Sequence, residues 1–317
     1  MQPTVQANAF FSETDVRRSL DPVRLLDAVE RAFRERYPRV TIPARTQLEL
    51  ADGIFLVMAC FDPVENALGM KLITVRKNPG PGKERVNATY FLLDPQTAQP
   101  RLTIAANFLT DARTAAASAI ATKFLARPDC STLGIFGTGR LARAHLQFLP
   151  LVRKFERALI CGRDSAGSAR FIADLPMAQN LPVQAADPRT CAAESDVICT
   201  CTTSDTPLFD GSVLRPGAHL NLTGAFRPNA REVDTTTVRR ARVFVDTHEG
   251  ADTEAGDLLM PIREGSIARE HIIGDLYELL SGKKPGRTKR EEITLFKSVG
   301  CALEDLVAGE NLLSTRA

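Results

Sequence analysis

The chain has 317 residues, of which 44% are hydrophobic and 25% are charged, and it carries a formal net charge of +2. This length and composition are typical of a globular protein with room for one large domain or two. The nearly balanced charge gives no reason to expect nucleic acid or an anionic membrane surface as a partner.

Signals for export, membrane insertion and metal binding are missing from the sequence. The first residues lack the basic and apolar segments of a secretory signal, and no apolar run approaches the ~18 residues of a membrane span. Seven scattered cysteines predict reduced thiols in a cytoplasmic protein. Cys199 and Cys201 are close together, but no second pair or nearby histidine completes four metal ligands, so we expect them to pack at a strand end.

The first third of the chain predicts a helix followed by an antiparallel sheet. Asp21 and Pro22 have the residue types of a helix cap and a first helical turn, and Pro38 should end this helix. Strand-like segments separated by turn residues then follow one another without intervening helices, which favours antiparallel pairing. These segments are residues 45–50, 54–61, 69–75 and 88–94. A long alanine-rich helix, residues 111–127 with Thr110 as its cap, should connect this part to the next.

A glycine-rich turn between an apolar run and a helical pattern is the central feature of the sequence. Residues 133–136 are typical of a buried parallel strand, and Gly137, Gly139 and Ala142 follow in the spacing G-x-G-x-x-A. Gly137 permits a tight turn, Gly139 lets the backbone approach a pyrophosphate, and Ala142 keeps the helix close to the strand. We therefore predict that a dinucleotide binds at the helix start, along Gly137, Thr138, Gly139, Arg140, Leu141 and Ala142. The alternative is a tight turn in an ordinary α/β domain.

Strand and helix patterns alternate after this turn, as in a doubly wound, Rossmann-type parallel sheet. Strands are predicted at residues 157–161, 196–200, 218–222 and 243–246, with helices at 166–174 and 235–240. A final helix over residues 293–307 is expected to return to the first part of the chain. The predicted fold class is therefore α/β, with a dinucleotide domain joined to a separate α+β part.

The end of the second parallel strand distinguishes NADP from NAD. A carboxylate at this point holds the ribose 2′-hydroxyl of NAD, but the strand ends at Gly162, 25 residues after Gly137, and Arg163 follows it. A guanidinium suits a 2′-phosphate because it makes a charge-assisted, bidentate contact. Gly162 and Arg163 therefore favour NADP as the cofactor. NAD is the alternative if the strand ends later and Asp164 takes the acidic position.

Three basic residues in the first part of the chain are candidate ligands for an anionic substrate. Lys71 lies inside an otherwise apolar strand, where a lysine needs solvent or a partner. Arg113 lies in the first turn of its predicted helix, where the helix dipole disfavours a cation unless an anion binds beside it. Arg45 begins a predicted strand. Each of the three, taken alone, is also explained as a solvated surface charge.

Several segments together resemble the ornithine cyclodeaminase/mu-crystallin family. They are residues 42–45, 69–71, 109–125, the turn at Gly137, and residues 223–225, 231–234, 254–257, 292–300 and 302–305. The resemblance implies a homodimer, with a substrate-binding and dimerisation domain built from both chain ends around a Rossmann domain. It also implies an active site in the cleft between the two domains. The corresponding bounds are 1–118 for the first domain, 119–292 for the dinucleotide domain and 293–317 for a C-terminal helix that returns to the first.

The same resemblance assigns roles to individual residues. Arg45, Lys71 and Arg113 match positions that hold a substrate α-carboxylate and the group next to it, and Asn87 matches a further polar substrate contact. Thr114 follows Arg113 as in the family pattern and is assigned to the cofactor. Further contacts near the nicotinamide are expected from Thr200, Cys201, Thr202, Lys297 and Ser298. Without such a role, Lys297 would be a solvated helix charge and Ser298 a helix-cap hydroxyl.

One position separates the reductases of this family from its cyclodeaminases. Cyclodeaminases have an aspartate where this chain has Phe226, which accepts neither a proton nor a hydrogen bond. The resemblance therefore implies an NAD(P)H-dependent reductase of a small α-imino acid, of the ketimine or pyrroline-2-carboxylate type, which in reverse is an amino-acid dehydrogenase. Lys71 would act near the nitrogen. The alternatives are an ornithine cyclodeaminase, with Asp234 or Asp257 replacing the missing acid, and a non-catalytic protein that holds NADPH and a small ligand.

Overall fold

The computed structural model describes residues 9–80, 82–175 and 181–315. These residues form two compact units, each built on its own β-sheet. The first unit contains the residues up to Arg113 together with those from Cys301 on, and the second runs from Thr114 to Gly300. The boundaries of the units fall at 113/114 and 300/301, where the sequence predicted 118/119 and 292/293.

Six strands form the sheet of the first unit, in the order β1-β6-β5-β4-β3-β2. Their bounds are β1 Ala9–Phe11, β2 Thr46–Leu50, β3 Gly53–Asp62, β4 Ala67–Arg76, β5 Val86–Leu93 and β6 Pro100–Ala105. Strands β2 to β6 pair antiparallel, as predicted, and β1 pairs parallel with β6. The sequence did not predict β1 or β6, because three residues are too few to show alternation and β6 begins with a proline.

The two faces of this sheet differ in how far they are covered. Burial alternates along β3, where Leu56, Met58 and Cys60 are buried and the residues between them are half-buried. Helix α11, Ala302–Ser314, packs on the buried face of β3, β4 and β5. The period of two is therefore explained by one face that meets a helix and one that remains partly open.

Two short helices precede the sheet of the first unit. Helix α1, Glu13–Ser19, has a complete capping box at its start, and helix α2, Pro22–Arg31, packs against α11. Asp21 caps α2 by accepting hydrogen bonds from two backbone N–H groups, which confirms the predicted helix start. A single π-helical turn, Ala32–Arg36, extends α2.

The long helix that leaves the first unit begins earlier than predicted. Helix α3 spans Asn107–Leu125, and Thr110 lies within it, where its hydroxyl donates to the carbonyl of Ala106. The cap comes from elsewhere in the chain, since the carboxylate of Glu13 accepts from the N–H groups of Asn107 and Phe108 at 2.7 and 3.0 Å. A cap supplied by a distant residue leaves no local sequence signal, so the predicted start at residue 111 was wrong.

Eight strands form the sheet of the second unit, and all of them are parallel. Their order is β13-β12-β14-β11-β10-β7-β8-β9. Their bounds are β7 Thr132–Phe136, β8 Arg157–Cys161, β9 Val183–Ala185, β10 Val197–Thr200, β11 His219–Leu222, β12 Ala241–Val245, β13 Ile272–Asp275 and β14 Ile293–Lys297. This is the predicted doubly wound sheet, in which the chain leaves β7 first toward β8 and later toward β10.

Helices cover both faces of the parallel sheet over two separate hydrophobic clusters. Their bounds are α4 Arg140–Phe148, α5 Ser165–Ala173, α6 Pro188–Glu194, α7 Thr235–Arg240, α8 His248–Glu254, α9 Gly256–Arg263 and α10 Leu276–Leu280. Within the described ranges, no helix combines the length and the apolar character that crossing a membrane requires.

The predicted final helix over residues 293–307 is wrong in its first part. Ile293–Lys297 is strand β14, which lies between β11 and β12 with all five side chains buried. A short apolar run that is buried on both faces has no period that distinguishes a central parallel strand from a buried helix. The C-terminal helix is therefore α11 alone, and β14 belongs to the dinucleotide unit.

Candidate dinucleotide site and buried charge cluster

Gly137 makes the turn after β7 as the sequence predicts. Its φ of +116° is one that side-chain-bearing residues rarely adopt, and its N–H donates to the carbonyl of Cys161 at 2.9 Å. A Cβ atom at this position would lie 2.5 Å from the carbonyl oxygen of Cys201. Glycine is thus required both by the backbone and by the loop that follows β10.

Gly139 leaves the start of helix α4 open. It is the N-cap residue, no side chain caps the helix, and a Cβ atom here would have no atom within 4 Å. The first backbone N–H groups of this nine-residue helix therefore receive no hydrogen bond from a capping side chain, and they lie at the carboxyl edge of β7. Ala142 is fully buried behind them, in the same cluster as Leu133 and Ile135. These residues fit a pyrophosphate group, because free N–H groups and the helix dipole favour an anion.

The topology of the sheet supports the same location. Strand β7 lies between β8 and β10, so the connections on its two sides run in opposite directions along the sheet. In open parallel sheets, ligands bind outside the carboxyl ends of the strands at such a switch point. The half-buried residues Thr138, Arg140 and Leu141 lie in this turn, as predicted from the sequence.

The residues after β8 have distinct tasks. Strand β8 ends at Cys161, and the N–H of Gly162 donates to the hydroxyl of Ser168 at 2.8 Å. Asp164 is the N-cap of α5, and its carboxylate accepts from the N–H of Gly167 at 2.6 Å. Arg163 is exposed, and no carboxylate in the described part of the chain pairs with it. The acid that would serve NAD is therefore engaged in capping a helix.

The buried Glu232 accepts hydrogen bonds from both the loop after β10 and the loop after β11. The carboxylate of Glu232 accepts hydrogen bonds from the hydroxyls of Thr200 and Thr202 at 2.7 and 2.6 Å. It also accepts from the backbone N–H groups of Thr202, Gly224 and Ala225. Burial, followed by the nearby charge of Asp257, raises the pKa of Glu232. Two of the residues predicted to contact the cofactor thus have a structural partner that the sequence did not reveal.

Lys297 and Ser298 are likewise engaged inside the second unit. Lys297 ends β14 with no exposed surface, lies 2.9 Å from the carboxylate of Asp257, and donates to the carbonyl of Ala225. Ser298 donates to the carboxylate of Asp246 at 2.9 Å. The alternatives of a solvated helix charge and a helix-cap hydroxyl are therefore wrong, because neither residue lies on a helix.

Cys201 lies beside the glycine turn and next to a buried histidine. Its sulfur is 3.5 Å from Nδ1 of His145, which also bonds the carbonyl of Leu141 at 2.8 Å. Burial lowers the pKa of His145 to about 4, so the ring is neutral near pH 7. The Nε2 atom of His145 is 3.0 Å from the hydroxyl of Ser118. Cys201 is therefore part of the packed wall behind the turn, at a strand end as predicted.

Lys71 and Arg113 meet in the first unit, and both are buried. Lys71 projects from β4 with no exposed surface, and Arg113 projects from the second turn of α3. The Nζ atom of Lys71 lies 2.8 Å from each carboxylate oxygen of Asp305. Arg113 donates from Nη1 to Glu304 at 2.6 Å and from Nε to Asp305 at 3.1 Å. We refer to Lys71, Arg113, Glu304 and Asp305 as the charge cluster.

This cluster corrects two expectations about its cations. They are not solvated surface charges, because each has a buried carboxylate partner. Arg113 is not in the first helical turn, because α3 begins at Asn107, so the helix dipole does not explain its position. Glu304 and Asp305 were not predicted as site residues, although a helix that starts at residue 302 places both in its first turn, where acids are favoured.

Burial and neighbouring charges act on Lys71 in opposite directions. Burial lowers its pKa most, Arg113 and Arg45 lower it further, and Asp305 raises it, with a net pKa of about 8. Arg45 is half-buried immediately before β2 and is close enough to act on Lys71 electrostatically. The structure thus brings Arg45, Lys71 and Arg113 together in one unit.

Asn87 does not join this group. It alternates along β5 with Ala88 and Tyr90, which face α11, and its exposed amide donates to the carbonyl of Glu84 at 3.2 Å. Tyr90 is the cross-strand partner of Lys71, so Asn87 lies on the opposite face of the sheet. Asn87 therefore lies apart from the charge cluster, and its predicted contact with the substrate stays a prediction. Thr114 follows Arg113 along α3 and is buried.

Comparison with known proteins gives a consistent result. The chain matches the model of the ornithine cyclodeaminase/mu-crystallin family over residues 6–313. It is 36% identical over 279 residues to a Delta(1)-pyrroline-2-carboxylate reductase of Bacillus cereus, which covers 86% of each chain. It is 32% identical to ketimine reductase mu-crystallin of Rattus norvegicus, with 96% of each chain covered.

A solved structure shows the same fold. The Delta(1)-pyrroline-2-carboxylate reductase of Thermococcus litoralis, in complex with NADH and L-proline, superposes with a TM-score of 0.94. The two chains are 34% identical, and 97% of each is covered. The protein belongs to the ornithine cyclodeaminase/mu-crystallin family.

Proposed function

We propose that the protein is an NAD(P)H-dependent reductase of a small α-imino acid, of the pyrroline-2-carboxylate or other ketimine type. In reverse it would be an amino-acid dehydrogenase. The observation that carries the proposal is the uncapped start of α4 behind Gly139, which offers backbone N–H groups to a dinucleotide. The names of two relatives, and the NADH and L-proline bound by a third, support the same class of reaction.

The cofactor would supply a hydride to the imine carbon. Arg45 and Arg113 would bind the substrate carboxylate, which fixes the position of the carbon next to it. Lys71 would hold a proton at Nζ for the substrate nitrogen, and its pKa of about 8 suits that task near neutral pH. In this proposal the glycine turn would hold the cofactor, and Arg45, Lys71 and Arg113 would act on the substrate.

We propose NADP rather than NAD as the preferred cofactor. Arg163 is exposed directly after β8, and the neighbouring carboxylate of Asp164 already caps α5. A free guanidinium at this point favours a 2′-phosphate, whereas a free carboxylate would favour a ribose hydroxyl. The solved relative contains NADH, so both coenzymes belong in the test.

Two further properties are part of the proposal. The partly open face of the first sheet carries apolar side chains, among them Phe55, Leu72 and Phe91, and would pair with a second copy to form a homodimer.

All seven cysteines are free thiols, which supports the predicted cytoplasmic location.

The cyclodeaminase alternative needs Asp234 or Asp257 in place of the aspartate that is absent at Phe226, and both carboxylates have other partners. Phe226 packs against the apolar cluster of the second unit. Asp234 caps α7 through the N–H of Thr237 at 2.8 Å, and Asp257 pairs with Lys297 at 2.9 Å. A substrate amine could therefore reach Asp234 only by breaking a half-buried helix cap, and Asp257 only by breaking a buried ion pair.

A spectrophotometric screen tests the proposed function. NADPH and NADH oxidation would be followed with pyrroline-2-carboxylate and other cyclic imines, and with keto acids plus ammonia or methylamine. We expect oxidation with at least one imino acid, and faster oxidation of NADPH than of NADH. Ammonia release from ornithine without net coenzyme turnover would favour the cyclodeaminase. Tight NADPH binding without oxidation across the panel would favour a binding protein.

A further inference from the structure

The first turn of α11 delivers two carboxylates to a buried position. Cys301 is the N-cap, and Glu304 reaches back to its N–H at 3.2 Å while also binding Arg113. Asp305 follows with 1% of its side chain exposed. Carboxylates at a helix start are favoured by the helix dipole, and both of these acids pair with buried cations.

Asp305 contacts both cations of the charge cluster. Its two oxygens each lie 2.8 Å from Nζ of Lys71, and Oδ1 also accepts from Nε of Arg113 at 3.1 Å. Without this carboxylate, two cations would stand side by side out of contact with water. Coulomb repulsion at low local dielectric would then favour loss of the Lys71 proton.

A steric fit fixes the distance between α11 and β4, and so the position of Asp305. A Cβ atom on Gly69 of β4 would lie 1.7 Å from the hydroxyl oxygen of Tyr90, and one on Gly309 of α11 would lie 2.7 Å from its ring. Tyr90 therefore fits between strand and helix only because both neighbours are glycines. The close approach that results brings Asp305 within hydrogen-bonding distance of Lys71.

We infer that Asp305 is a positioning residue for the proposed imine reduction, which holds the Lys71 ammonium in place and keeps it protonated until the substrate nitrogen takes the proton. This inference rests on the proposed function. In the step, the C=N π bond breaks, the carbon gains a hydride from the nicotinamide, and the nitrogen gains the proton of Lys71. The cofactor would be oxidised, and a proton from water that enters once the product has left would restore the Lys71 ammonium beside Asp305.

The charged and titratable groups around Lys71 come from four elements. Asp305 faces it from α11, Arg113 from α3 with Glu304 behind, Arg45 from the segment before β2, and Tyr90 from β5. Burial, followed by the charge of Asp305, raises the pKa of Tyr90, so its hydroxyl stays neutral. Among the groups that shift the pKa of Lys71, Asp305 raises it and the two arginines lower it.

Titration of Lys71 in the whole 317-residue chain tests the inference without substrate or cofactor. Lysine labelled with ¹³C at Cε reports the protonation of each side chain by NMR, and the Lys71 signal is the one lost in Lys71→Met. We expect a wild-type midpoint near 8, and a midpoint lower by roughly one to three pH units in Asp305→Asn. The matched control is Glu310→Gln, which removes a carboxylate of the same helix that pairs with Arg36 and not with Lys71.

The titration tests the role of Asp305 independently of catalytic activity, because it needs no substrate. An Asp305→Asn midpoint equal to that of wild type and Glu310→Gln would overturn it. If Asp305→Asn does not fold, the wild-type protein still decides, because a Lys71 signal that is already neutral at pH 6 would contradict a proton held by Asp305. Asp305→Glu, which keeps the carboxylate, is expected to retain a midpoint close to that of wild type.

The pH dependence of turnover provides the second measurement. A general acid is lost as pH rises through its pKa, so the alkaline limb of kcat should move to lower pH in Asp305→Asn and stay in place in Glu310→Gln. A uniform loss of kcat at every pH, with the limb unmoved, would indicate a purely structural role. If wild type reduces no imino acid, the proposed function fails while the NMR titration still tests the pairing of Asp305 with Lys71.

Discussion

At the scale of single residues, the structure shows which carboxylates pair with Lys71 and Arg113, two of the cations predicted from the sequence. A lysine in an apolar strand and an arginine in an alanine-rich helix were each ambiguous, because a solvated charge explains them equally well. The carboxylates that resolve the ambiguity belong to Glu304 and Asp305. Asp305 is 234 positions from Lys71 in the sequence, and the two acids are 191 and 192 positions from Arg113. Partners so distant leave no spacing signal, so the cluster was only half predictable.

Tyr90 leads to a prediction about stability. Its hydroxyl is buried and has no hydrogen-bond partner among the described residues, although it lies near Asp305 and Cys60. A buried hydroxyl without a partner destabilises the folded state, so Tyr90→Phe should raise the free energy of unfolding by about 1 kcal/mol. Urea denaturation measures the change. A loss of stability of similar size would show that the hydroxyl has a partner in solution.

Gly69→Ala serves as the matched variant for the same site. Its added methyl group would overlap the Tyr90 ring and hydroxyl, so we expect a loss of several kcal/mol or failure to fold. Gly265→Ala is the control for an added methyl group, since a Cβ there meets no atom within 4 Å, although its φ of +68° brings a modest backbone strain.

At the scale of elements, the sequence predicted the order of the strands and helices around the glycine turn better than the residues at which individual elements begin and end. The strand–glycine–helix order predicted the turn between β7 and α4 correctly, because glycine spacing is a local signal with a backbone cause. The start of α3 depends on Glu13, and strand β14 depends on its two neighbours in the sheet. Both errors arise where tertiary contacts determine the local structure and the pattern alone does not.

The two glycines of the turn should respond differently to an added methyl group. Gly139 is extended at φ −98°, and its Cβ would enter open space, so Gly139→Ala should fold normally and lower the affinity for NADPH about tenfold or more. Gly137→Ala would collide with the carbonyl of Cys201 at positive φ and should lower stability itself. Thermal unfolding and cofactor fluorescence titration separate the two effects. Unchanged affinity in Gly139→Ala would place the pyrophosphate elsewhere.

At the scale of the whole molecule, the fold class and the family could be predicted from the sequence. The surface that would form a dimer could not, because it depends on which apolar side chains the fold leaves exposed. The first sheet keeps one face partly open, with apolar side chains on β3, β4 and β5. Phe10 and Leu48, on the edge strands β1 and β2, are exposed by 57% and 53%. Contiguous apolar surface of this kind is typical of a protein interface.

We expect the protein to be a homodimer in solution through that face. Light scattering coupled to size exclusion should give twice the mass of one chain, and Phe91→Lys, on the open face of β5, should give a monomer. Leu151→Lys is the control, since Leu151 is a 43% exposed apolar residue that belongs to the second unit. A wild-type monomer at micromolar concentration, or a dimer that Phe91→Lys leaves intact, would contradict the proposed interface.

The most direct test of the whole account is the rate at which pyrroline-2-carboxylate and NADPH give proline. Wild type should form proline with one NADPH oxidised per molecule, and Lys71→Met should be slower by about a hundredfold or more while it binds NADPH normally. Equal rates in the two proteins would remove Lys71 from the chemistry. Failure of wild type to form proline or to reduce any other imino acid would contradict the assignment as a reductase.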